Sequence, residues 1–269
     1  MINVPPTPDH DEADLGTAAG VTDRGLRHHR NEDAMALASE QTPSGLVVVA
    51  VVCDGVSSSP RPDEASHAAA QAALPVLLEA VRAGGDLVEA SRAAVVAGRH
   101  SVAGLGEPEN ERSATTFVSA VAARGDVTLC WLGDSRAYWL AEESGSVQLT
   151  RDDSVAGGMV EAGLATEETA MALPHAHVLT RWLGAEAADL NGDPGRAPHV
   201  EHYTPPGRGV LLVCSDGLWN YLPEAAELAR LALPKALTDP LGAANDMVRF
   251  AVDAGGADNI TAVLIPYSA

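Results

Sequence analysis

The 269-residue chain predicts an α+β fold in which antiparallel sheets carry their helices on the outside. Three observations predict it. Apolar runs of strand length recur along the chain and end beside Asp and Gly. Two Ala-rich helical stretches stand between two blocks of such runs, which segregates helices from strands. No internal repeat and no Ser/Gly/Pro linker divides the sequence, so residues 17–269 are expected to form one domain.

The elements follow in order. Residues 1–16, "MINVPPTPDHDEADLG", are polar and acidic and are expected to be a flexible tail. They lack the basic n-region and apolar h-region of a secretory signal. "GTAAGVTDRG" and "DAMALASE" read as short strands flanking "LRHHRNE", and "GLVVVAVVCDG" as a strand covered on both faces. "PDEASHAAAQAALPVLLEAVRAGG" is a helix in which Pro75 is expected to introduce a kink and the Gly pair a stop. "DLVEASRAAVVAGRHSVAGLG" is a second helix with Asp86 as its N-cap. "ATTFVSAVAA", "VTLCWLGD" and "RAYWLAE", separated by Arg124-Gly125-Asp126 and Gly133-Asp134-Ser135, predict an antiparallel meander. From Thr150 to about Gly195 the pattern weakens into short helices and loops, the form of a functional flap. Strand "GVLLVC", helices "PEAAELARLAL" and "DPLGAANDMVRFAVDAGG", and strand "ITAVLIPY" close the chain.

Composition narrows the function. Seventeen basic against 37 acidic residues give a net charge of −20, which opposes binding to nucleic-acid backbones. No run of about 18 apolar residues is present to span a bilayer. A soluble cytoplasmic protein with neither nucleic-acid nor membrane partners is expected. Cys53, Cys130 and Cys214 each lie inside an apolar run without C-x-x-C spacing, as reduced, buried thiols do.

The acids at strand ends carry the chemistry. Glu32 and Asp33 in "NED", Asp54 in "CDG", Asp134 in "GDS", Asp216 in "SDG" and Asp258 in "ADN" all lie within two residues of a Gly or Asn. Any one of them alone is ordinary turn chemistry. Gathered from separate strands, carboxylates within about 4–6 Å raise one another's pKa and require a counter-charge. Lys235 is the sole lysine, so a divalent cation suits the role better. An all-oxygen set without Cys or His selects Mg²⁺ or Mn²⁺ over Zn²⁺. Two such ions about 3.5–4 Å apart can activate water and clamp a phosphoryl group.

In their order, "NEDA", "VVCDG", "ATT", "WLGDSRAYWL", "LTRDDS", "LTRWLG", "LLVCSDGLWNYL" and "GGADNITAVLI" resemble the metal-dependent protein phosphatases, the type 2C Ser/Thr enzymes, in a bacterial form. The resemblance runs from about residue 17 to 266 and implies a four-layer α-β-β-α sandwich, two antiparallel sheets flanked by helices. It implies Mg²⁺- or Mn²⁺-dependent hydrolysis of phosphoserine and phosphothreonine in protein substrates of a Ser/Thr kinase. By the same resemblance Asp54 would bridge two core ions with the Gly55 carbonyl on one of them, and Asp216 and Asp258 would ligate the second. Glu32 and Asp33 would hold metal-bound waters or touch a metal directly. Asp134 would help hold a weaker third ion, and residues 152–180 would form the flap.

The chain departs from the family pattern in four places. Family members carry a phosphate-gripping Arg five residues before the "NED" Asp, where this chain has His28. Arg27 or Arg30 would then take that role. "DGVSSSP" lacks the usual glycine pair, and Val56 replaces the His of animal members, the proposed general acid. Asn220 stands where many members have a second Asp, which bears on the third ion. Two other readings remain at this level: a pseudophosphatase that binds a partner, and a hydrolase of small phosphoesters.

Overall fold

The computed structural model describes residues 8–105, 112–123, 125–142, 145–184 and 197–267. In chain order the first half comprises β1 (His10–Asp14), β2 (Ala19–Asp23), β3 (Asp33–Thr42), β4 (Gly45–Asp54), α1 (Pro62–Ala83) and α2 (Leu87–Ala103). The middle contains β5 (Ala114–Thr115), β6 (Phe117–Ala123), β7 (Asp126–Leu132), β8 (Arg136–Leu140) and β9 (Val147–Gln148). Next come α3 (Val155–Glu161), α4 (Glu167–Met171), β10 (Leu183–Gly184) and β11 (His199–Tyr203). The chain closes with β12 (Gly209–Cys214), α5 (Asp216–Trp219), α6 (Ala225–Ala236), α7 (Pro240–Asp253) and β13 (Ile260–Tyr267).

One sheet has the order β1-β2-β13-β12-β8-β9 and the other β11-β7-β6-β4-β3, and β5 and β10 form a separate two-stranded pair. Pairing is antiparallel throughout, as in the β4–β6 and β12–β13 ladders. The period-2 rule of strands makes the layers. Along β4, Val49, Val51 and Cys53 point into a cluster with Ala69, Ala73 and Leu77 of α1 and Val95 of α2. Val48, Ala50 and Val52 point the other way, to meet Leu211, Val213, Val263 and Ile265 of the second sheet. That sheet's opposite face, with Val210, Leu212 and Ile260, packs on Leu228, Ala232, Met247 and Ala251 of α6 and α7. The four-layer helix–sheet–sheet–helix sandwich follows.

Helix ends agree with the sequence. Asp86 caps α2 by accepting from the Val88 and Glu89 backbone N–H groups, and Gly84 ends α1 at φ 61°. Pro75 lies on the exposed side of α1, which runs on through it.

Two expectations change. The N-terminal stretch is not a tail throughout: His10–Asp14 forms β1, paired with Ala19–Asp23, and His10 bonds Asp23 at 2.9 Å. Its charged side chains face water, as an edge strand requires. Residues 1–7 of the expected tail lie outside the described residues. The meander also breaks. β6 and β7 pair, but β8 joins the other sheet beside β12, and the free edge of β7 goes to β11. Gly133, at φ 102°, makes the corner where the chain steps from one sheet to the other.

Candidate metal centre

Asp33 opens β3 and Asp54 closes β4, and the two are direct partners across the ladder. Directly opposed residues project to the same side of a sheet, so a single register pair brings two carboxylates together. Asp134 sits in the corner between β7 and β8, Asp216 begins α5 immediately beyond β12, and Asp258 precedes β13. Acids from both sheets therefore meet at one end of the sandwich.

The glycines beside these acids are demanded by crowding. A Cβ on Gly55 would fall 2.4 Å from the Pro62 carbonyl oxygen and 2.8 Å from that of Glu32. On Gly217 it would fall 1.9 Å from the Asn259 carbonyl oxygen. Both Asp-Gly pairs thus let a second backbone segment pass directly behind an acid. Asn259 fastens that segment: its Oδ1 accepts from the Glu32 N–H at 2.8 Å, and its Nδ2 donates to the Arg24 and Arg30 carbonyls at 2.8 and 3.1 Å.

Burial dominates the electrostatics. It pushes the Asp33 carboxyl up to about 7, against the Thr261 and Ser215 hydroxyl bonds that favour the anion, with Asp258 and Asp216 adding to the rise. Burial, then Asp258, raises Asp216 to about 7 as well. Asp54 is raised well above the carboxylate range by burial and then by Asp33, Asp216, Asp258 and Asp134. Asp134 is raised by burial and then by Asp216 and Asp152. Four acids that oppose one another's ionisation call for positive charge.

Among the described residues no three His, Cys, Asp or Glu side chains already close on a common point. A cation is favoured by the donors left over: Asp33 Oδ1 and Asp216 Oδ1 are buried and have no hydrogen-bond partner. The donor set, carboxylates with a backbone carbonyl nearby, fits a hard divalent ion.

Not all the predicted residues face this centre in the same way. The Glu32 side chain is engaged outside it. Its Oε1 accepts from Arg30 Nε at 3.3 Å, and its Oε2 accepts from the Ser57 hydroxyl at 2.5 Å and lies 3.7 Å from His28 Nδ1. His28 Nε2 stands 3.2 Å from Asp258 Oδ1, so the residue in place of the family arginine reaches the cluster's edge. Arg30 is held by Glu32 and, at 3.1 Å, by Asp63. Arg27 makes no ion pair among the described residues. Arg27, His28, His29, Arg30 and Glu32 line an open cavity of about 520 Å³. Asn220 donates to Asp216 Oδ2 at 3.1 Å and so steadies that acid.

With this geometry in place, the comparisons decide the family. The profile of the family described as Protein phosphatase 2C matches residues 24–246. The chain belongs to that family. Serine/threonine phosphatase stp of Listeria welshimeri is 30% identical over 254 residues, spanning 91% of this chain and 93% of the relative. The Ser-Thr phosphatase MsPP of Mycobacterium smegmatis, solved in complex with cacodylate, is 30% identical, with a TM-score of 0.69 over 94% of this chain and 99% of that one. The catalytic domain of the serine/threonine protein phosphatase PstP, solved with 2 manganese ions, is 26% identical, with a TM-score of 0.68 over 92% and 96%. The α-β-β-α expectation is borne out by these folds and by the two sheets described above.

For this phosphatase-family chain, sequence reasoning missed Arg136, inside the quoted "GDSRAYW". It is 2% exposed, donates from Nε and Nη2 to both Asp152 oxygens at 2.9 and 2.7 Å, and stacks 3.8 Å over the Trp219 ring. Trp219 Nε1 in turn donates to the Asp134 carbonyl at 2.9 Å. Arg136 thereby ties the start of the flap to the elements bearing Asp134 and Asp216. A charged residue opening a strand otherwise made of Ala, Tyr, Trp and Leu was the available signal.

Proposed function

We propose that the chain is a metal-dependent protein serine/threonine phosphatase that hydrolyses phosphoserine and phosphothreonine with Mg²⁺ or Mn²⁺. The observation that carries this reading is the convergence of Asp33, Asp54, Asp134, Asp216 and Asp258 at one end of the sandwich, with two buried carboxylate oxygens lacking partners. Two core ions are assigned to Asp33, Asp54, the Gly55 carbonyl, Asp216 and Asp258, with Asp134 toward a weaker third. When bound, such ions supply Lewis acidity and an activated water for attack on phosphorus. The chain's own part is to aim the acids, hold the flap through Arg136, and receive the phosphate.

For the phosphate, Arg27 is the better of the two arginines. It lines the cavity without an ion pair, whereas Arg30 is already engaged by two carboxylates. A free guanidinium suits a phosphate dianion through paired, charge-assisted bonds. The substrate is a phosphorylated protein. The reading as a binding module without catalysis finds no support, because every core acid is retained at the site. No described helix is long and apolar enough to cross a membrane. A cytoplasmic location is supported by three buried, unpaired thiols, the state a reducing compartment maintains.

Phosphate release from a phosphothreonine peptide tests the reading. Turnover is expected with Mn²⁺, is lost in excess EDTA, and falls by several orders of magnitude in Asp216→Asn; exposed Glu142→Gln leaves it near wild type. Full turnover in EDTA refutes it.

A further inference from the structure

Asp33 is fully buried, and its two oxygens are treated differently. Oδ2 accepts from the Ser215 hydroxyl at 2.7 Å and from the Thr261 hydroxyl at 2.6 Å. Oδ1 accepts from none. The two hydroxyls belong to a longer chain whose direction can be worked out, because each carries a single proton. Thr261 spends its proton on Asp33, so its oxygen accepts from Thr22 at 2.7 Å. Thr22 in turn accepts from Asn31 Nδ2 at 3.0 Å, and Asn31 Oδ1 accepts from the Asp33 backbone N–H at 3.2 Å. Ser215 spends its proton on Asp33 and accepts from the Thr261 N–H at 3.0 Å. Both branches run one way and end on the same carboxylate oxygen. All four side chains are essentially without solvent contact, so no water replaces a missing member.

This network spans the gap between the sheets. Thr22 and Thr261 are register partners on β2 and β13, and Ser215 follows β12, all in one sheet. Asp33 opens β3 in the other. We propose that Asn31, Thr22, Thr261 and Ser215 are positioning residues that lock Asp33 across the sheet interface with Oδ1 alone presented to the cation, so that four uncharged side chains set metal affinity. The proposal rests on the metal-dependent reading above. Partners of this kind, one bond removed from a ligand, typically govern metal affinity by about 10–100-fold.

The test is Mn²⁺ binding to EDTA-stripped protein by titration calorimetry, with the melting temperature of the stripped protein measured beside it. Thr261→Val, nearly isosteric, is expected to weaken binding about 10–100-fold, and Ser215→Ala to weaken it in the same direction. Thr261→Ser restores it, because the proton donor returns. Thr22→Val touches neither Asp33 nor the ion, yet is expected to lose affinity too, less steeply, and it carries the test should Thr261→Val fail to fold. A merely structural role would lower the melting temperature and leave the dissociation constant unchanged. Wild-type affinity in folded Thr22→Val and Ser215→Ala overturns the proposal while the phosphatase reading stands. A wild-type protein that binds no Mn²⁺ overturns both.

Discussion

Replacing Arg136 by Met should expose how much of this fold hangs on one buried guanidinium. The Arg136–Asp152 pair is bidentate, and its side chains are 2% and 6% exposed. Arg136 also donates to the Tyr138 hydroxyl at 3.0 Å and to Glu167 at 3.2 Å, and it covers the Trp219 ring. Met keeps the bulk and the apolar stem but leaves Asp152 buried without its partner. Breaking a buried pair in this way costs about 3–5 kcal/mol, which for a domain of this size lowers the melting temperature by roughly 6–20 °C. The loss should depend on pH in a definite sense. Burial already raises the Asp152 carboxyl, and Arg136 is the main influence opposing that rise. Without it, Asp152 is protonated more readily in the folded state than in the unfolded one. The penalty then grows as pH rises above the ordinary carboxylate range and shrinks toward acid. Thermal unfolding followed by circular dichroism between about pH 5 and about pH 8 reads this directly. Asp152→Asn in the Arg136→Met background should recover part of the loss, since the orphaned charge is gone. A single variant melting within about 3 °C of wild type, less than the smallest cost above, would refute the reasoning.

Two further outcomes concern the site itself. Arg27→Ala is expected to lose about 10–100-fold in kcat/KM on a phosphopeptide with Mn²⁺ affinity intact, matching about 1.5–3 kcal/mol for a charge-assisted bond. Arg30→Ala should cost far less in kcat/KM, because Glu32 and Asp63, only 10% and 11% exposed, already hold that guanidinium; the reverse order of losses would show that Arg30 grips the phosphate. Stripped of divalent ions, the protein should melt at lower temperature as pH rises. Asp33 and Asp216 hold their protons up to about 7 in the folded state, against 3.8 ordinarily, so the folded state binds more protons between those values and loses stability as they leave. Mn²⁺ should restore most of the loss at the alkaline end, and a stripped protein whose melting temperature climbs from about pH 5 to pH 8 would contradict the assignment of these acids.

What the sequence determined by itself was local. Continuous apolar runs marked β4, β12 and β13, Asp86 and Gly84 marked helix ends, and acids beside glycines marked the strand ends where the centre lies. These signals are legible because each depends on a residue's own neighbours in the chain. Partnership was decided only in three dimensions. The short turn Gly133-Asp134-Ser135 reads as a hairpin, yet β8 pairs with β12, some 70 residues on, because any open strand edge satisfies the same backbone groups. β1 and β11 are polar strands with no apolar alternation to announce them, and they exist because an edge was free to receive them. The same holds within the site. Asp33 was visible as an acid, but which of its oxygens is free depends on hydroxyls 182 and 228 residues away. Arg27 and Arg30 were equivalent on paper until Asp63, on the first turn of α1, came within reach of one of them. Side-chain hydrogen bonds and ion pairs act over about 3 Å, so the fold alone decides which carboxylate is already satisfied and which is left for a cation.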